Sequence, residues 1–241
     1  MKNAFLEFLR FDMFVIPCKY DYRSPIEESV KTIQQFHPEH RIVIVDSGSD
    51  DKSYYQKVNA DILDVSNPYR LLGALRHAYR KYPNEKHYIL MHDSVCLKKS
   101  IGEFIDATDS IKVFMHFSVP FHSMNLDIRA EYISWMNETL KQIDYPNRFN
   151  EYVSNDYISG VFGTMGIYSN QFVQNLDSKG VLDNVKAETF NHGQFSERLM
   201  GYICRCEQID ISNSIDGDAY LKWGDIMEDR LFYIKKLLLS R

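Results

Sequence analysis

The sequence is poor in cysteine, has no excess of positive charge and contains no long uninterrupted apolar run. Four cysteines in 241 residues are too few for a disulfide scaffold, so we expect free thiols in a reducing compartment, the cytoplasm. The formal net charge of −5 argues against a broad surface for nucleic acid. Residues 1–17 are apolar but are interrupted by Glu7, Arg10 and Asp12, and we therefore expect neither a signal peptide nor an integral membrane span there.

The composition is typical of a globular protein with a large core. Hydrophobic residues make up 44% of the chain, which contains 16 Tyr and 15 Phe, and this is enough apolar surface for the core of one domain of this length. No repeat and no Pro-, Gly- or Ser-rich linker divides the chain, so we expect a single domain over residues 1–241. Cys204 and Cys206 lack the second pair that a zinc site needs, and buried thiols explain them better.

Short apolar runs alternate with helical patterns through the first 95 residues. In "SPIEESVKTIQQFH", Ile26, Val30 and Ile33 recur at helical spacing between the apolar runs "FDMFVIPCK" and "HRIVIVDSGS". The runs "ADILDV" and "HYILMHD" predict two more strands, and "NPYRLLGALRHAYRKYP" predicts a helix between them. This alternation predicts an α/β fold with a mainly parallel central sheet and flanking helices.

The second half of the sequence is less regular. "IKVFMHFSV" and the glycine-containing "YISGVFGTMGIYS" each predict a strand, and helices are predicted over 127–141, 170–177 and 187–202. The C-terminal "DRLFYIKKLLLSR" has the pattern of a basic and apolar helix. Its Lys235, Lys236 and Arg241 could contact phosphates, or could simply favour the end of a helix, where cations suit the dipole.

Polar residues follow the predicted strands at the edge where ligands bind in open parallel sheets. Asp46 begins the segment Asp-Ser-Gly-Ser-Asp-Asp after the second strand, and His92, Asp93 and Ser94 follow "HYILM". If the strands are parallel, Asp46 and Asp93 converge on one edge of the sheet. The same residue types are common in turns and helix N-caps. Both acids therefore have a purely structural alternative, and His92 could be a hydrogen-bonded surface histidine.

Four segments carry a resemblance to a known family: "VIPCKYDYRSPIEESVKTI", "IVIVDSGSDD", "LLGALRHAYRKYPNEKHYILMHDS" and "SGVFGTMGIYSNQF". In this order they resemble the nucleotide-sugar-dependent glycosyltransferases of the GT-A fold, and they are most similar to the family-2-type enzymes and to their relatives in large DNA viruses. The resemblance covers about residues 12–200. It implies a GT-A-type fold in which about residues 11–95 form the nucleotide-binding half and about 96–241 form the irregular acceptor and catalytic half. For a viral protein the compartment would be the host cytoplasm.

The resemblance also implies roles for the residues at the sheet edge. In such enzymes a proline after the first strand and an acid after the second, here Pro17 and Asp46, hold the base and ribose. The acid that ends the later strand, here Asp93, holds Mn²⁺ or Mg²⁺, which would stabilise the charge on the departing diphosphate. Gly160 matches a small-residue strand beside the donor sugar, with a strand bulge as the alternative. The candidate donor-binding residues are Pro17, Cys18, Lys19, Tyr20, Arg23, Asp46, Ser47, Gly73, His92, Asp93, Ser94 and Gly160.

One position departs from the family pattern at the metal site itself. The usual Asp-x-Asp would require an acid at Val95, so the metal would have one protein carboxylate, helped by His92, Ser94, water and the phosphates. The literal Asp216-Gly217-Asp218 matches the pattern, but no apolar strand leads into it. We interpret that segment as a turn.

An inverting transfer needs a general base that takes the proton of the acceptor hydroxyl. The segment "ETFNHGQFSERLMGYI" resembles the one that carries the catalytic acid in GT-A enzymes. Glu197 is the first candidate for the base, His192 the second, and Glu188 a further alternative. An ordinary solvated helix face is the structural alternative for Glu197.

The sequence therefore predicts a glycosyltransferase of the hexosyl or a related type. It would move a sugar, with inversion, from a nucleoside-diphosphate donor, most simply a UDP-sugar, to a hydroxyl of a glycan or glycoprotein. A nucleotide-sugar-binding module without catalysis is one alternative, which Val95 keeps open. A sugar nucleotidyltransferase is the other, although no glycine-rich phosphate loop follows the first strand. No pattern in the sequence indicates an oligomeric state.

Overall fold

The computed structural model describes residues 11–20, 24–65, 70–154, 157–222 and 231–237. Within these ranges the strands are β1 Asp12–Cys18, β2 Arg41–Asp46, β3 Asp61–Asp64, β4 His87–Leu90, β5 Val95–Leu97, β6 Ile111–Val113, β7 His116–Pro120, β8 Tyr157–Val161, β9 Gly166–Ser169 and β10 Ile234–Lys236. The helices are α1 Ile26–Phe36, α2 Arg70–Lys81, α3 Gly102–Asp106, α4 Leu126–Leu140, α5 Phe149–Ser154, α6 Asn170–Ser178, α7 Val181–Asn184 and α8 Phe190–Cys206. The strands and helices predicted for the first half are present. The predicted opening of α2 at Asn67 and Pro68 lies outside the described residues.

Six strands form the central sheet in the order β3-β2-β1-β4-β9-β6. The first four are mutually parallel, whereas β9 runs antiparallel to both β4 and β6. Successive residues of β1 enter two different cores, Met13 and Val15 on one face and Phe14 and Ile16 on the other. Because both faces are buried, β1 and β2 read in the sequence as continuous apolar runs.

Helices cover both faces of this sheet. α1 packs on one face through Ile26, Val30 and Ile33, whose spacing places them on one side of the helix. α2 packs on the other face through residues that include Leu75 and Ala78, in a core shared with α4, α6 and α8. These layers confirm the predicted α/β fold with a mainly parallel sheet and flanking helices. In the ranges that the structure describes, no helix combines the length and the apolar character that crossing a bilayer requires.

The two strands predicted for the second half are each divided. β6 joins the edge of the central sheet, while β7 pairs with β8 in a separate two-stranded sheet. The segment that was expected to be one strand over 157–169 forms β8 and β9, separated by a 3-10 turn at Phe162–Thr164. Two consecutive residues of this turn are left-handed, Gly163 with φ 62° and Thr164 with φ 48°. The turn carries the chain from the small sheet into the central sheet.

The predicted C-terminal helix is wrong for residues 231–237, because the chain there forms β10. This strand pairs antiparallel with β5, with Ile234 opposite Leu97 and Lys236 opposite Val95. The carboxylate of Asp216 accepts the backbone N–H groups of residues 232, 233 and 234 at 3.1 to 3.2 Å and so holds the entry to the strand. Because these partners are distant in the chain, the local pattern could not reveal them. Arg241 lies outside the described residues.

Candidate functional site

The carboxyl ends of β1, β2 and β4 lie side by side at one edge of the central sheet. Cys18, at the end of β1, is paired with Asp46, at the end of β2. The hydroxyl of Ser24 donates to Oδ2 of Asp93 at 3.0 Å and lies 4.0 Å from Sγ of Cys18. The two acids therefore converge on one edge, as the parallel strands predicted. Burial, and next the nearby charge of Asp93, raise the pKa of the Cys18 thiol to about 12, so the thiol is protonated.

Pro17 lies inside β1, paired with Val45, rather than after the strand as expected. The carbonyl of Val15 accepts the N–H of Met91 at 3.1 Å, so the backbone groups of Val15 point toward β4. The backbone nitrogen of Pro17, two residues later in the strand, points to the same side. The pairing with β4 ends at Leu90, so no donor is needed at Pro17. Proline fits this position without interrupting the sheet, and its contact with a nucleoside stays a prediction.

Asp46 is completely buried, and its carboxylate organises the loop that follows β2. Oδ1 accepts the backbone N–H groups of Gly48 and Ser49 at 2.9 and 2.7 Å. Oδ2 accepts the hydroxyls of Tyr54 and Tyr55 at 2.7 and 3.0 Å. Burial alone would raise the pKa of Asp46, but these donors outweigh it and lower the pKa. Asp46 thus holds a turn in this structure, and its role toward a nucleoside stays a prediction.

Other candidate donor-binding residues surround this loop. The backbone N–H of Tyr20 donates to Oγ of Ser49 at 2.7 Å, and the ring of Tyr20 stacks on Tyr54 with 4.6 Å between centroids. Lys19 is exposed, and Ser47 is half-buried. Arg23 was a further candidate, and it lies outside the described residues. The loop is therefore built mainly by hydrogen bonds within the protein.

Asp93 lies in the turn after β4 and is held by protein groups. Its carboxylate accepts the hydroxyl of Ser24 and the backbone N–H of Ser94. Burial raises the pKa of Asp93, although these two donors and the charge of Lys236 oppose the rise. The carbonyl of Ser94 accepts the N–H of Leu237 at 2.8 Å. The turn that carries Asp93 is thereby joined to the end of β10.

The residues around Asp93 do not fit a cation held by two carboxylates. Val95, where the second acid would stand, begins β5, is 1% exposed and packs in the core. Across the part of the chain that the structure describes, the side chains close enough to form a three-ligand metal group are those at positions 37, 39 and 40, which lie beside the start of β2 and not at Asp93. A metal at Asp93 would find one protein carboxylate, already bonded to Ser24. The metal stays a prediction of the resemblance.

A cavity of about 320 Å³ opens beside His92. Its walls come from the turn after β4, from the 3-10 turn, from α8 and from β10. The residues that matter for the chemistry are His92, Phe162, Gly163, Thr164, Glu197 and Lys236. The fold therefore brings two predicted site residues, His92 and Glu197, to one cavity.

Glu197 reaches this cavity because α8 packs closely on β8. Gly201 lies one helical turn later on the same face, and a Cβ there would lie 2.2 Å from the carbonyl O of Ser159. Oε1 of Glu197 accepts the backbone N–H of Gly163 at 3.0 Å. Burial raises the pKa of Glu197 to about 7, although the charges of Arg198 and Lys236 and the hydrogen bond from the Gly163 N–H lower it. A carboxyl group with such a pKa can exchange a proton near neutral pH.

The 3-10 turn at Phe162–Thr164 is strained and lies where the sequence predicts a continuous strand beside the donor sugar. A Cβ on Gly163 would lie 2.6 Å from Nε2 of His92, so glycine is needed there for space as well as for its positive φ. Thr164 is left-handed although it is β-branched, and its buried Oγ1 has no hydrogen-bond partner among the residues that the structure describes. Strained residues and unpaired buried polar groups concentrate at functional sites. Thr164 therefore joins the candidate site.

Lys236 extends from the inner face of β10 toward the same cavity. Val95, opposite it in the ladder, is a core residue, so the lysine stem is largely covered. Its Nζ lies 5.2 Å from the ring centroid of Phe162. Burial lowers the pKa of Lys236, while the charges of Glu197 and Asp93 raise it. The ammonium is therefore within electrostatic range of both acids of the site.

A smaller cavity of about 170 Å³ adjoins the first. Phe162, Gln194 and Glu197 line both cavities. The smaller one is otherwise mostly apolar, with Phe117 and Tyr220 among its walls. Glu197 thus lies between two neighbouring cavities, one lined by Lys236 and one lined by Arg198 and mostly apolar side chains.

The other candidates for the base lie elsewhere. His192 packs against Trp135 and Phe195 with ring centroids 5.9 and 6.0 Å away, and its Nε2 is 3.6 Å from Oε1 of Glu131. It does not line either cavity around Glu197. Glu188 is exposed before α8 begins. The structure separates both residues from the cavities, and catalytic roles for them stay predictions.

Two further candidates, Gly160 and Gly73, have positions that packing explains. A Cβ on Gly160 would lie 2.2 Å from Cζ of Phe117, its partner across the β7–β8 ladder. Gly201 of α8 also approaches Gly160 Cα, with 2.9 Å to a Cβ built on Gly201. Gly73 is buried in the first turn of α2. Donor binding by either glycine stays a prediction.

The literal Asp216-Gly217-Asp218 is a turn, as interpreted. Asp216 is 2% exposed, and backbone N–H groups that lead into β10 occupy its carboxylate. Oδ1 of Asp218 accepts the N–H groups of Tyr220 and Leu221 at 2.8 and 3.1 Å. Both carboxylates are therefore used to shape the backbone.

No protein-family model matches the sequence, and no curated protein matches it. Among solved structures, the chain is similar to S. aureus TarS 1-349, with 12% identity and a TM-score of 0.45 over 80% of this chain and 55% of that one. A longer S. aureus TarS structure gives 12% identity and a TM-score of 0.44 over 80% of this chain and 33% of that one. Core-mannan synthase A (CmsA/Ktr4) from Aspergillus fumigatus, in a Mn/GDP form, gives 7% identity and a TM-score of 0.44, with 83% and 67% covered. These neighbours are glycosyltransferases. The chain spans about half the length of the shorter TarS chain.

Proposed function

We propose that the chain is a glycosyltransferase that moves a sugar from a nucleoside-diphosphate donor to a hydroxyl of a glycan or glycoprotein. The observation that carries this proposal is the position of Glu197, a carboxylate on the shared wall of two adjoining cavities. Its pKa of about 7 suits a group that must accept a proton at neutral pH. An inverting transfer to a hydroxyl needs such a base next to the acceptor.

The donor is assigned to the larger cavity and to the sheet edge beside it. Nucleotides bind outside the carboxyl ends of parallel strands, and the turn with His92 and Asp93 connects that edge to the cavity. UDP-sugars are the first donors to test, because they are the commonest for the fold that the sequence resembles.

The acceptor is assigned to the smaller cavity, whose aromatic walls suit the apolar face of a sugar ring. The acceptor oxygen attacks the anomeric carbon while the bond from that carbon to the diphosphate oxygen breaks. The bonding electron pair leaves with the nucleoside diphosphate, and Glu197 takes the proton of the hydroxyl. Attack from the side opposite the leaving group inverts the anomeric configuration.

A panel of nucleotide sugars tests the proposal. A donor that binds only the native state raises the melting temperature of the purified chain, and that donor is then incubated with and without glycan acceptors while release of nucleoside diphosphate is followed. We expect Glu197→Gln to reduce turnover by roughly 10² to 10⁴ while the donor Kd barely changes. Glu138→Gln, at an exposed position on α4 outside both cavities, is the control and should keep wild-type turnover.

The outcomes separate the alternatives. Donor binding without any release of nucleoside diphosphate would reject the transferase and leave a binding module. Release of pyrophosphate from a nucleoside triphosphate and a sugar phosphate would instead identify a nucleotidyltransferase. Loss of turnover in His192→Ala, with Glu197→Gln active, would overturn the assignment of the base.

A further inference from the structure

Strand β10 places a lysine opposite Val95, the residue that stands where the Asp-x-Asp pattern would have a second acid. Lys236 is paired with Val95 in the β5–β10 ladder. The next residue, Leu237, donates its N–H to the carbonyl of Ser94 at 2.8 Å. Main-chain hydrogen bonds therefore hold Lys236 beside the turn that carries Asp93.

The cavity would repel a diphosphate if it contained acids alone. Glu197 lines it, and Asp93 lies in the turn next to His92, which lines it as well. Lys236 also lines the cavity, and its ammonium interacts with the charges of both acids. Lys236 thus supplies positive charge at the point where the sheet edge and the cavity meet.

We propose that Lys236 takes the place of a divalent cation by contacting the diphosphate of the donor and stabilising the charge on the departing nucleoside diphosphate. This inference rests on the proposed function. An ammonium group is a compact point charge that binds phosphate, and it acts more strongly in a cavity that excludes water. Asp93 then serves as a partner that positions Lys236, instead of as a metal ligand. Donor binding by this chain accordingly requires neither Mn²⁺ nor Mg²⁺.

The test measures binding of UDP and GDP to the full chain by calorimetry, in EDTA and in Mn²⁺. For the wild-type protein we expect the affinity of the better nucleotide to differ by less than roughly threefold between the two conditions. Lys236→Gln should weaken that affinity about 10- to 100-fold in EDTA, as expected for the loss of a charge-assisted contact. Lys235→Gln is the matched control, because Lys235 is opposite Cys96, alternates to the other face of β10 and does not line the cavity. It should bind like the wild type.

Each alternative result has a definite meaning. Wild-type binding that appears only with Mn²⁺ would overturn the inference and leave the proposed function standing. Wild-type affinity in Lys236→Gln would overturn it as well. If neither UDP nor GDP nor any nucleotide sugar binds in either condition, the proposed function fails, and the inference fails with it. The comparison of EDTA with Mn²⁺ uses the wild-type chain, so metal-dependent binding would overturn the inference even if Lys236→Gln does not fold.

Discussion

The backbone N–H of Gly163 donates a hydrogen bond of 3.0 Å to Oε1 of Glu197. This contact joins the turn between β8 and β9 to the helix that packs on β8. The same glycine leaves no room for a side chain, because a Cβ would lie 2.6 Å from Nε2 of His92. The orientation of the carboxylate therefore depends on a turn that strongly favours glycine, for its positive φ and for the space beside His92.

We expect Gly163→Ala to impair both folding stability and turnover. The added methyl group meets His92 and requires a positive φ, which should lower the free energy of unfolding by about 1 to 3 kcal/mol. A displaced carboxylate should reduce transfer by roughly tenfold or more. Denaturant unfolding and steady-state kinetics measure the two effects.

Gly180→Ala is the control for this prediction. Gly180 also has a positive φ, of 76°, and a Cβ there would lie 2.9 Å from Nδ2 of Asn184. It precedes α7 and lines neither cavity around Glu197, so it should lose stability and keep turnover. Equal turnover in both alanine variants would contradict the importance of the Gly163 contact.

We expect the stability of Glu197→Gln to depend on pH differently from that of the wild type. Burial raises the pKa of Glu197 from 4.5 to about 7, so between these values the native state holds more protons than the unfolded chain. The wild-type free energy of unfolding therefore loses this contribution as pH rises through that window. The variant has no such proton, so it should gain stability relative to the wild type from about pH 4.5 to 7.5, as urea unfolding would measure. A difference independent of pH would show that the carboxyl group is well hydrated.

Asp46→Ala should strongly destabilise the loop after β2. The buried carboxylate accepts four hydrogen bonds, and its removal leaves donors unpaired, so we expect a loss of about 2 to 4 kcal/mol in the free energy of unfolding. Tyr55→Phe removes one of these donors and should cost about 1 kcal/mol. Thermal unfolding of both variants measures the losses. If Asp46→Ala unfolds like the wild type but binds nucleotide more weakly, the carboxylate acts on the ligand and not on the loop.

An acid at position 95 should destabilise the protein without creating a metal site. Val95 is 1% exposed in the core, so Val95→Asp places a carboxylate where it has no solvent, at an expected cost of about 3 kcal/mol or more. Val95→Ala removes the packing alone and should cost less. Melting temperatures with and without Mn²⁺ measure the difference. Rescue of Val95→Asp by Mn²⁺, with no effect on the wild type, would mean that positions 93 and 95 share a metal.

The first half of the fold could be predicted because its signals are local. Buried parallel strands such as β1 and β2 are continuous apolar runs, and α1 shows its buried face through Ile26, Val30 and Ile33. The convergence of Asp46 and Asp93 followed from parallel strands alone.

In the second half, hydrophobic runs did not predict where individual strands begin and end. Phe114 and Met115, which separate β6 from β7, are both fully buried, so hydrophobicity does not change where one strand ends and the next begins.

The candidate site could be predicted only where its residues follow a strand or lie on a patterned helix. Glu197 and His92 belong to such segments, and the structure brings both to one cavity. Thr164 has no local signal, because its left-handed backbone and unpaired hydroxyl depend on the junction of two sheets. The sequence pattern predicts that Lys236 lies on a basic and apolar helix. Its placement instead depends on pairing with Val95, far away in the chain.

The pairing of β10 with β5 has a consequence for how the protein acquires its site. Contacts between residues that are distant in sequence form slowly, since a large loop must close before they contribute stability. The cavity combines segments around residues 92, 163, 197 and 236, so a chain in which β10 has not docked would contain the sheet edge without the lysine. We therefore expect the protein to become able to bind nucleotide late in folding, after most of the secondary structure has formed. Time-resolved nucleotide binding during refolding would measure when β10 docks on β5.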